Sequence, residues 1–322
     1  MKPYKQLTYE QRCQIYVLKK RDLTQQTIAD AIGVSQSAIS RELKRNTGSR
    51  GYRYQQAQRA SEARRSHAAK ALKMTTGMIA LIESKLSHQW SPEQISGWLL
   101  AEQGERLSVE TIYQHIREDK AAGGSLYCHL RRRGKAYRPR SKAVAGRGCI
   151  KNRVSIDERP AIVDEKGRLG DWEIDLVIGK GHSGALVTIV ERKTSFTVST
   201  RIHDKSARTV TAATISLLNP FKEAVHTITA DNGKEFAYHE QVTAALGAAV
   251  YFADPYSSWQ RGLNENTNGL LRQYWPKSTD FKKISANDVT AVIINLNDRP
   301  RKKLGYKTPA RLMAEHMAAI AA

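Results

Sequence analysis

Three acids carry the chemistry legible in this chain. Asp175 lies in Gly170-Asp-Trp-Glu-Ile-Asp-Leu-Val-Ile-Gly179, Asp231 in Ile228-Thr-Ala-Asp-Asn-Gly233, and Glu265 in Gly262-Leu-Asn-Glu-Asn-Thr-Asn268. Hard divalent cations take carboxylate oxygens, and a pair of such ions can drive an in-line displacement at phosphorus. Three carboxylates gathered without a cation repel one another and shift toward protonation. Magnesium relieves that repulsion and leaves positions for substrate oxygens. Phosphoryl transfer is the reaction this donor set suits. No Ser, Cys or His arrangement suggests a covalent nucleophile. His239 follows Asp231 closely and could assist, although a surface histidine with ordinary partners is the plainer reading. Asp171, Glu173 and Asp254 are spare acids nearby, so counting alone does not exclude a four-acid nuclease.

The elements that must position these acids follow from periodicity. From residue 169 the hydrophobic period becomes 2. Trp172, Ile174, Leu176 and Ile178 face one way, and Asp171, Glu173 and Asp175 the other. A Gly-rich turn over 179–184 leads to a partner strand from Ala185 and a third from Phe196, an antiparallel meander. A helix is expected over 206–218, with Val210, Thr214 and Leu217 on one stripe. A strand then ends at Asp231, a helix spans 239–247, and a fifth strand starts at Val250. This is the order of the ribonuclease-H-like α/β fold, a mixed five-stranded sheet with flanking helices. Asp175 and Asp231 converge if their strands are neighbours. Ser257 and Gln260 have capping-box spacing and open a helix on which Arg261, Glu265, Asn268 and Arg272 share one face. An acid between two arginines is ordinarily a surface ion-pair stripe; its place after the fifth strand makes Glu265 a candidate ligand. Trp259 is expected in the core, with stacking on a base as the alternative. Residues 285–320 read as helical, with Val289, Val292, Ile293 and Leu296 on a stripe that covers the sheet or joins an oligomer.

The front of the chain supplies the substrate class. The formal charge is +21, and it is segregated: residues 1–153 hold 30 Lys and Arg against 12 Asp and Glu, and residues 154–322 hold 22 against 19. So basic a front half fits a polyanionic partner, of which nucleic acid is the commonest. Residues 8–46 read as three helices. Thr8 and Gln11 form a capping box, Ala29 allows a close helix crossing, and Gly33 supplies the turn. Val34, Ile39 and Leu43 point inward. This is a helix-turn-helix pattern. Ser35 caps the recognition helix and leaves Gln36, Ser37, Ser40, Arg41 and Lys44 for the major groove. A basic helical linker over 54–74 follows. Residues 75–122 form a second, weaker tri-helical pattern, either another DNA-binding unit or a packing hairpin, with Pro92 at a helix start. Residues 123–160 read as a flexible basic linker that tracks phosphates, with Arg131, Arg132 and Arg133 at its front. The organisation expected is thus helix-turn-helix domains at 1–53 and 75–122, the α/β core at 161–284 and a helical tail at 285–322.

Other classes recede. Cys13, Cys128 and Cys149 are odd in number and far apart, which fits neither a disulfide framework nor a Cys-x-x-Cys zinc site. No run approaches the roughly 18 apolar residues of a membrane span, and the first residues lack an apolar signal core. A cytoplasmic, nucleoid-associated protein of a bacterium is expected.

At these motifs the chain resembles the DDE transposases of bacterial insertion sequences, most closely the insertion-sequence-30 family. The resemblance rests on Gly170–Gly179, Asp231-Asn-Gly-Lys-Glu-Phe236, Phe252-Ala-Asp-Pro-Tyr-Ser-Ser-Trp-Gln-Arg-Gly262, Asn264-Glu-Asn-Thr-Asn-Gly-Leu-Leu-Arg-Gln-Tyr-Trp-Pro-Lys277 and a tail over 297–309. It covers nearly the whole chain. It implies that Asp175, Asp231 and Glu265 are the catalytic, metal-binding triad, the last two 34 positions apart. It implies two Mg2+ ions, with Mn2+ as substitute, and front domains that bind the terminal inverted repeats of the element. The enzyme would hydrolyse strands at the element ends and join the freed 3′-hydroxyls to target DNA. Pairing two ends implies a homo-oligomer, at least a dimer. By the same analogy Asn232, Lys234, Arg261, Asn264, Asn268, Arg272 and Lys277 position DNA near the metals. Ile174 stands where relatives often have Gly. The zinc-binding domain of retroviral integrases has no counterpart here, so no zinc is expected. A transcription regulator would share the helix-turn-helix but would not need the three acids. A nuclease that cuts without joining would share the acids.

Overall fold

The computed structural model describes residues 6–67, 73–131, 150–255 and 257–321. The chain divides into two compact units, Met1–Lys73 and Met74–Ala322.

The first unit is helical. Thr8 and Gln11 exchange bonds as a capping box and open α1 (Tyr9–Lys20). Thr24 caps α2 (Gln25–Ile32), which ends at Gly33 with φ +73°, a left-handed conformation that costs glycine little. Ser35 accepts from the Ala38 N–H and starts α3 (Gln36–Asn46). Ile15, Ile28, Ala29 and Ile39 are fully buried between the three helices. A two-residue ribbon, β1 (Thr47–Gly48) with β2 (Gly51–Tyr52), leads into α4 (Tyr54–His67). The sequence reads residues 54–74 as a linker after a domain ending at 53. Instead α4 packs on α1, with Ala57 fully buried and the Tyr54 ring 5.5 Å from both Tyr9 and Tyr16. A buried ion pair ties α1 to α3: Arg12 Nε donates to Glu42 at 2.9 Å, and the Tyr52 hydroxyl donates to the same carboxylate at 3.1 Å. Arg12 also bonds Gln58 and Ser61 of α4. The charges on that polar face of α4 had concealed its role in the core.

The second unit begins with α5 (Thr76–Ser87), α6 (Pro92–Gln103) and α7 (Val109–Ala121), packed around Ile82, Leu86, Ile95, Leu99, Ile112 and Ile116. Ser91 and Gln94 form a capping box with Pro92 at the first helical position. These helices are not set apart from the sheet that follows, as the sequence reading had them. Gln94 Nε2 donates to the Pro300 carbonyl at 2.9 Å, Gln273 donates to Gln89 at 2.8 Å, and Glu93 and Glu102 pair with Lys302 and Arg311. A Cβ on Gly97 would sit 2.1 Å from the Tyr306 ring, so α6 approaches the chain closely there and needs glycine.

The strands are β3 (Val154–Ser155), β4 (Asp171–Ile178), β5 (Ala185–Glu191), β6 (Thr197–Ile202), β7 (Thr227–Ala230) and β8 (Ala249–Phe252). Among them lie α8 (Ile162–Glu165), α9 (Ala207–Leu218) and α10 (His239–Leu246), and after them α11 (Gly262–Tyr274), α12 (Ala286–Asn297) and α13 (Pro309–Ala321). The sheet order is β3-β8-β7-β4-β5-β6. β4, β5 and β6 form the antiparallel meander, and β7, β8 and β3 add in parallel. The five expected strands are joined by a sixth, the two-residue β3, within the stretch expected to be flexible linker. Two residues are too few for a period to register.

One face of the sheet packs Trp172, Ile174, Val187 and Ile189 against α9 and α10. The other packs Val177 and Leu186 against Leu270, Leu271, Val289 and Ile293 of α11 and α12. The α12 stripe therefore covers the sheet, and Asn297 fastens it by bonding both the N–H and the carbonyl of Thr197 at 2.9 and 2.8 Å. Among the described residues no helix is long and apolar enough to cross a membrane.

Candidate active site

β4 and β7 run parallel with Glu173 opposite Thr229. Two residues further along each chain stand Asp175, in mid-strand, and Asp231, just past the end of β7. The parallel register brings them level on one face. The Gly233 N–H donates to Asp231 Oδ1 at 2.9 Å, an Asx turn that fixes the carboxylate. Asn232 points elsewhere: it donates to the Ala253 carbonyl at 2.5 Å and accepts from Arg153.

Asp175 is held from three sides. The Leu176 N–H donates to Oδ1 at 2.9 Å, and Asn268 Nδ2 on α11 donates to Oδ2 at 2.8 Å. Thr188, opposite Asp175 on β5, donates from its hydroxyl to the Asn268 side-chain oxygen and to the Asp175 carbonyl, both at 3.1 Å. Thr188 was missed in the sequence, yet it is the one hydroxyl in Ala185-Leu-Val-Thr-Ile-Val190, and a polar residue in so apolar a strand is a signal. Burial pushes the Asp175 carboxyl up from its usual range, the Arg261 cation opposes that shift, and the Asp231 charge adds to it.

Arg261, the residue before α11, completes the cluster. Its Nη1 lies 3.3 Å from Asp175 Oδ1 and its Nη2 lies 3.4 Å from Asp231 Oδ2. Nη1 also approaches the Ile174 carbonyl at 3.3 Å. One guanidinium thus bridges both aspartates. Glu265, in the first turn of α11, is exposed. Among the described residues no three His, Cys, Asp or Glu side chains are gathered for a metal ion. The structure brings Asp175 and Asp231 together on one guanidinium and places Glu265, exposed, at the first turn of α11. The pair still fits a divalent cation: its donors are hard carboxylate oxygens, and a side-chain cation already stands between them.

The spare acids are engaged. Asp171 is fully buried, bonded twice to Arg168 at 2.9 Å and to Thr227 at 2.7 Å. Glu173, also buried, accepts from Arg192 at 2.7 Å and from the Asn264 N–H at 3.1 Å, anchoring the first turn of α11 to β4. Asp254 is closed onto Gln260 at 2.9 Å. Gln260 therefore does not complete a capping box: Ser257 makes no side-chain cap, and a 3-10 turn over Ser258–Arg261 precedes α11.

The expected DNA contacts divide. Lys234 and Lys277 are exposed, as is Arg131, whose guanidinium lies against Gly269 of α11. Arg132 and Arg133 lie outside the described residues. Asn264 is fully buried, with no partner for either side-chain atom among the described residues, so it cannot reach DNA as expected. The family analogy that named Asn264 could not show that its N–H is tied to Glu173 of β4 and its side chain enclosed. Arg272 donates to the Ile178 carbonyl at 2.7 Å and lies over the Phe281 ring. His239 is not a surface histidine: it is buried edge-on to Phe252 and meets the Asn152 carbonyl at 3.2 Å. Trp259, expected in the core, is 74% exposed, because the 3-10 turn carries it outward. On α3 of the first unit, Gln36, Ser37, Arg41 and Lys44 are exposed and Ser40 is half-buried.

Residues 3–46 match the family model of a helix-turn-helix domain, and residues 166–258 that of an integrase core domain. The transposase for insertion sequence element IS4351 of Bacteroides fragilis is 45% identical over 307 residues, covering 95% of this chain and 94% of its own length. The transposase InsI for insertion sequence element IS30A of Escherichia coli (strain K12) is 38% identical over 323 residues, covering 97% and 84%. The catalytic core domain of BIV integrase superposes with a TM-score of 0.37 at 20% identity, over 46% of this chain and 97% of its own.

Proposed function

The chain belongs to the IS30 family of insertion-sequence transposases, and we propose that it cleaves DNA at the ends of its element and joins them to target DNA at the Asp175–Asp231 site. The observation that carries this reading is the pairing of those carboxylates on adjacent parallel strands, with a cation between them. An integrase core of this type depends on divalent metal, and its helix-turn-helix partner binds DNA. Asp175, Asp231 and Glu265 would hold a pair of Mg2+ ions, with Mn2+ as a substitute. Held there, such ions would supply polarisation of the phosphoryl oxygens and activation of the attacking oxygen.

The remaining work belongs to the chain itself. Asn268 and Thr188 keep the Asp175 oxygens oriented, and the Asx turn does the same for Asp231. Glu173 holds the start of α11, and with it Glu265, in register with β4. Lys234, Lys277 and Arg131 supply exposed cations for phosphates. Gln36, Ser37, Ser40, Arg41 and Lys44 read the terminal inverted repeat in the major groove. In the first step water attacks the phosphodiester at an element end and a 3′-hydroxyl leaves. In the second that hydroxyl attacks a target phosphodiester, so one P–O bond forms as another breaks. Two ends held together call for a homo-oligomer.

The engagement of Asp171, Glu173 and Asp254 in structural bonds favours a three-acid transposase over a four-acid nuclease. Asp231→Asn is expected to abolish cleavage of an end-containing duplex while the mobility shift of that duplex is unchanged. Pre-cut ends offered with target DNA and Mg2+ are expected to give joined product. Cutting without any joining would replace this reading with a nuclease.

A further inference from the structure

We propose that Arg261 is a built-in counter-ion of the site, holding Asp175 and Asp231 together until a divalent cation takes its place. This rests on the reading of the pair as a metal site and adds what the chain does before the metal arrives.

Three observations support an exchangeable guanidinium. The first is its placement. It is shared between two carboxylates from adjacent strands that would otherwise repel, and each is a candidate metal ligand. The second is the looseness of its bonds. Arginines that serve structure each have at least one short carboxylate bond, Arg12–Glu42 at 2.9 Å, Arg168–Asp171 at 2.9 Å and Arg192–Glu173 at 2.7 Å, beside which longer contacts such as Arg192–Asp164 at 3.3 Å are secondary. The carboxylate contacts of Arg261 are 3.3 and 3.4 Å, beyond the range of roughly 2.7–2.9 Å for strong charge-assisted bonds. Among the described residues its buried Nε has no partner, and its one further contact, to the Ile174 carbonyl, is long at 3.3 Å, whereas Arg12 is anchored on Gln58 at 2.8 Å. The third is its backbone position. Arg261 ends the 3-10 turn and directly precedes α11, with φ −124° and ψ 42°, so its side chain can turn without unwinding the helix or the strand. A guanidinium keeps its charge on leaving, and at the rim of the site it would meet the phosphate of bound DNA.

The test uses the full chain without DNA. Titration calorimetry with MnCl2 and thermal melting in EDTA or in Mg2+ are applied to wild type, Arg261→Gln and Arg261→Lys. Arg261→Gln is expected to bind Mn2+ roughly tenfold more tightly, since no side-chain cation competes. It is also expected to melt about 2–4 °C lower than wild type in EDTA and to recover in Mg2+. A cation that merely sits nearby and repels metal would give the first change without the second. Arg261→Lys, whose single ammonium cannot fork across both carboxylates, is expected between the two and guards against misfolding of the Gln variant. Unchanged or weaker Mn2+ affinity in Arg261→Gln, or no loss of stability in EDTA, would overturn the exchange while leaving the metal site standing. Failure of wild type to bind any divalent ion would remove the metal reading and the exchange with it.

Discussion

Asp171, Glu173 and Asp175 stand on one face of one strand at two-residue spacing, each beside an arginine, and the two ends of that row behave differently. At the start of β4, Asp171 and Glu173 are sealed and bonded to Arg168 and Arg192 at 2.9 and 2.7 Å. Further along, the Asp175 side chain is 24% exposed and shares Arg261 with Asp231 at longer distances. A sealed ion pair has its desolvation cost offset by full hydrogen bonding, and nothing is left for a substrate. A half-open pair with one borrowed cation retains unused oxygen lone pairs. Residue type therefore does not separate the sealed acids from the open pair; the packing around each one does.

Substitutions can break that contrast. The largest effect is expected from Glu173→Ala, which leaves buried Arg192 with only the longer Asp164 contact to balance its charge and releases the Asn264 N–H. A loss of about 3–5 kcal/mol in urea unfolding is expected. Asp171→Ala is expected to cost less, about 1–3 kcal/mol, because Arg168 is partly exposed and can turn to solvent. A smaller Glu173 effect than Asp171 effect would contradict the view that α11 is anchored through Glu173. Thr188→Val preserves shape in β5 and removes the hydroxyl that orients Asn268. It is expected to change stability by no more than about 1 kcal/mol and to slow end cleavage by roughly tenfold, read in single-turnover assays. No change in rate would detach Thr188 and Asn268 from the function of Asp175.

Much of this arrangement was legible in the residues. The switch to period 2 at 169 located β4, and the later elements put Asp231 at the end of a strand, whose pairing with β4 only the sheet shows. The capping signals at Thr8 and Ser35 and the proline at 92 started helices where expected. What stayed hidden depends on partners distant in sequence. Asn264 and Asn268 lie on the same helix four residues apart, and only the packing of α11 on β4 and β5 decides that one is entombed and the other reaches Asp175. The Ser257–Gln260 spacing suggested a cap, but Asp254 offered Gln260 a better partner, and the resulting turn put Trp259 in solvent. The polar surface of α4 read as linker because Arg12 satisfies it from another helix.

If chemistry belongs to the open pair on β4 and β7, and the sealed acids to the fold, removing one open carboxylate should stop the reaction and spare the structure. Asp175→Asn tests it most directly, with single-turnover cleavage of an element-end duplex and thermal melting measured on the same preparation. Cleavage is expected to fall at least about a thousandfold, with end binding intact and a melting midpoint within about 2–4 °C of wild type. Cleavage per bound complex that survives the substitution, or a collapse of the fold in its place, would contradict it.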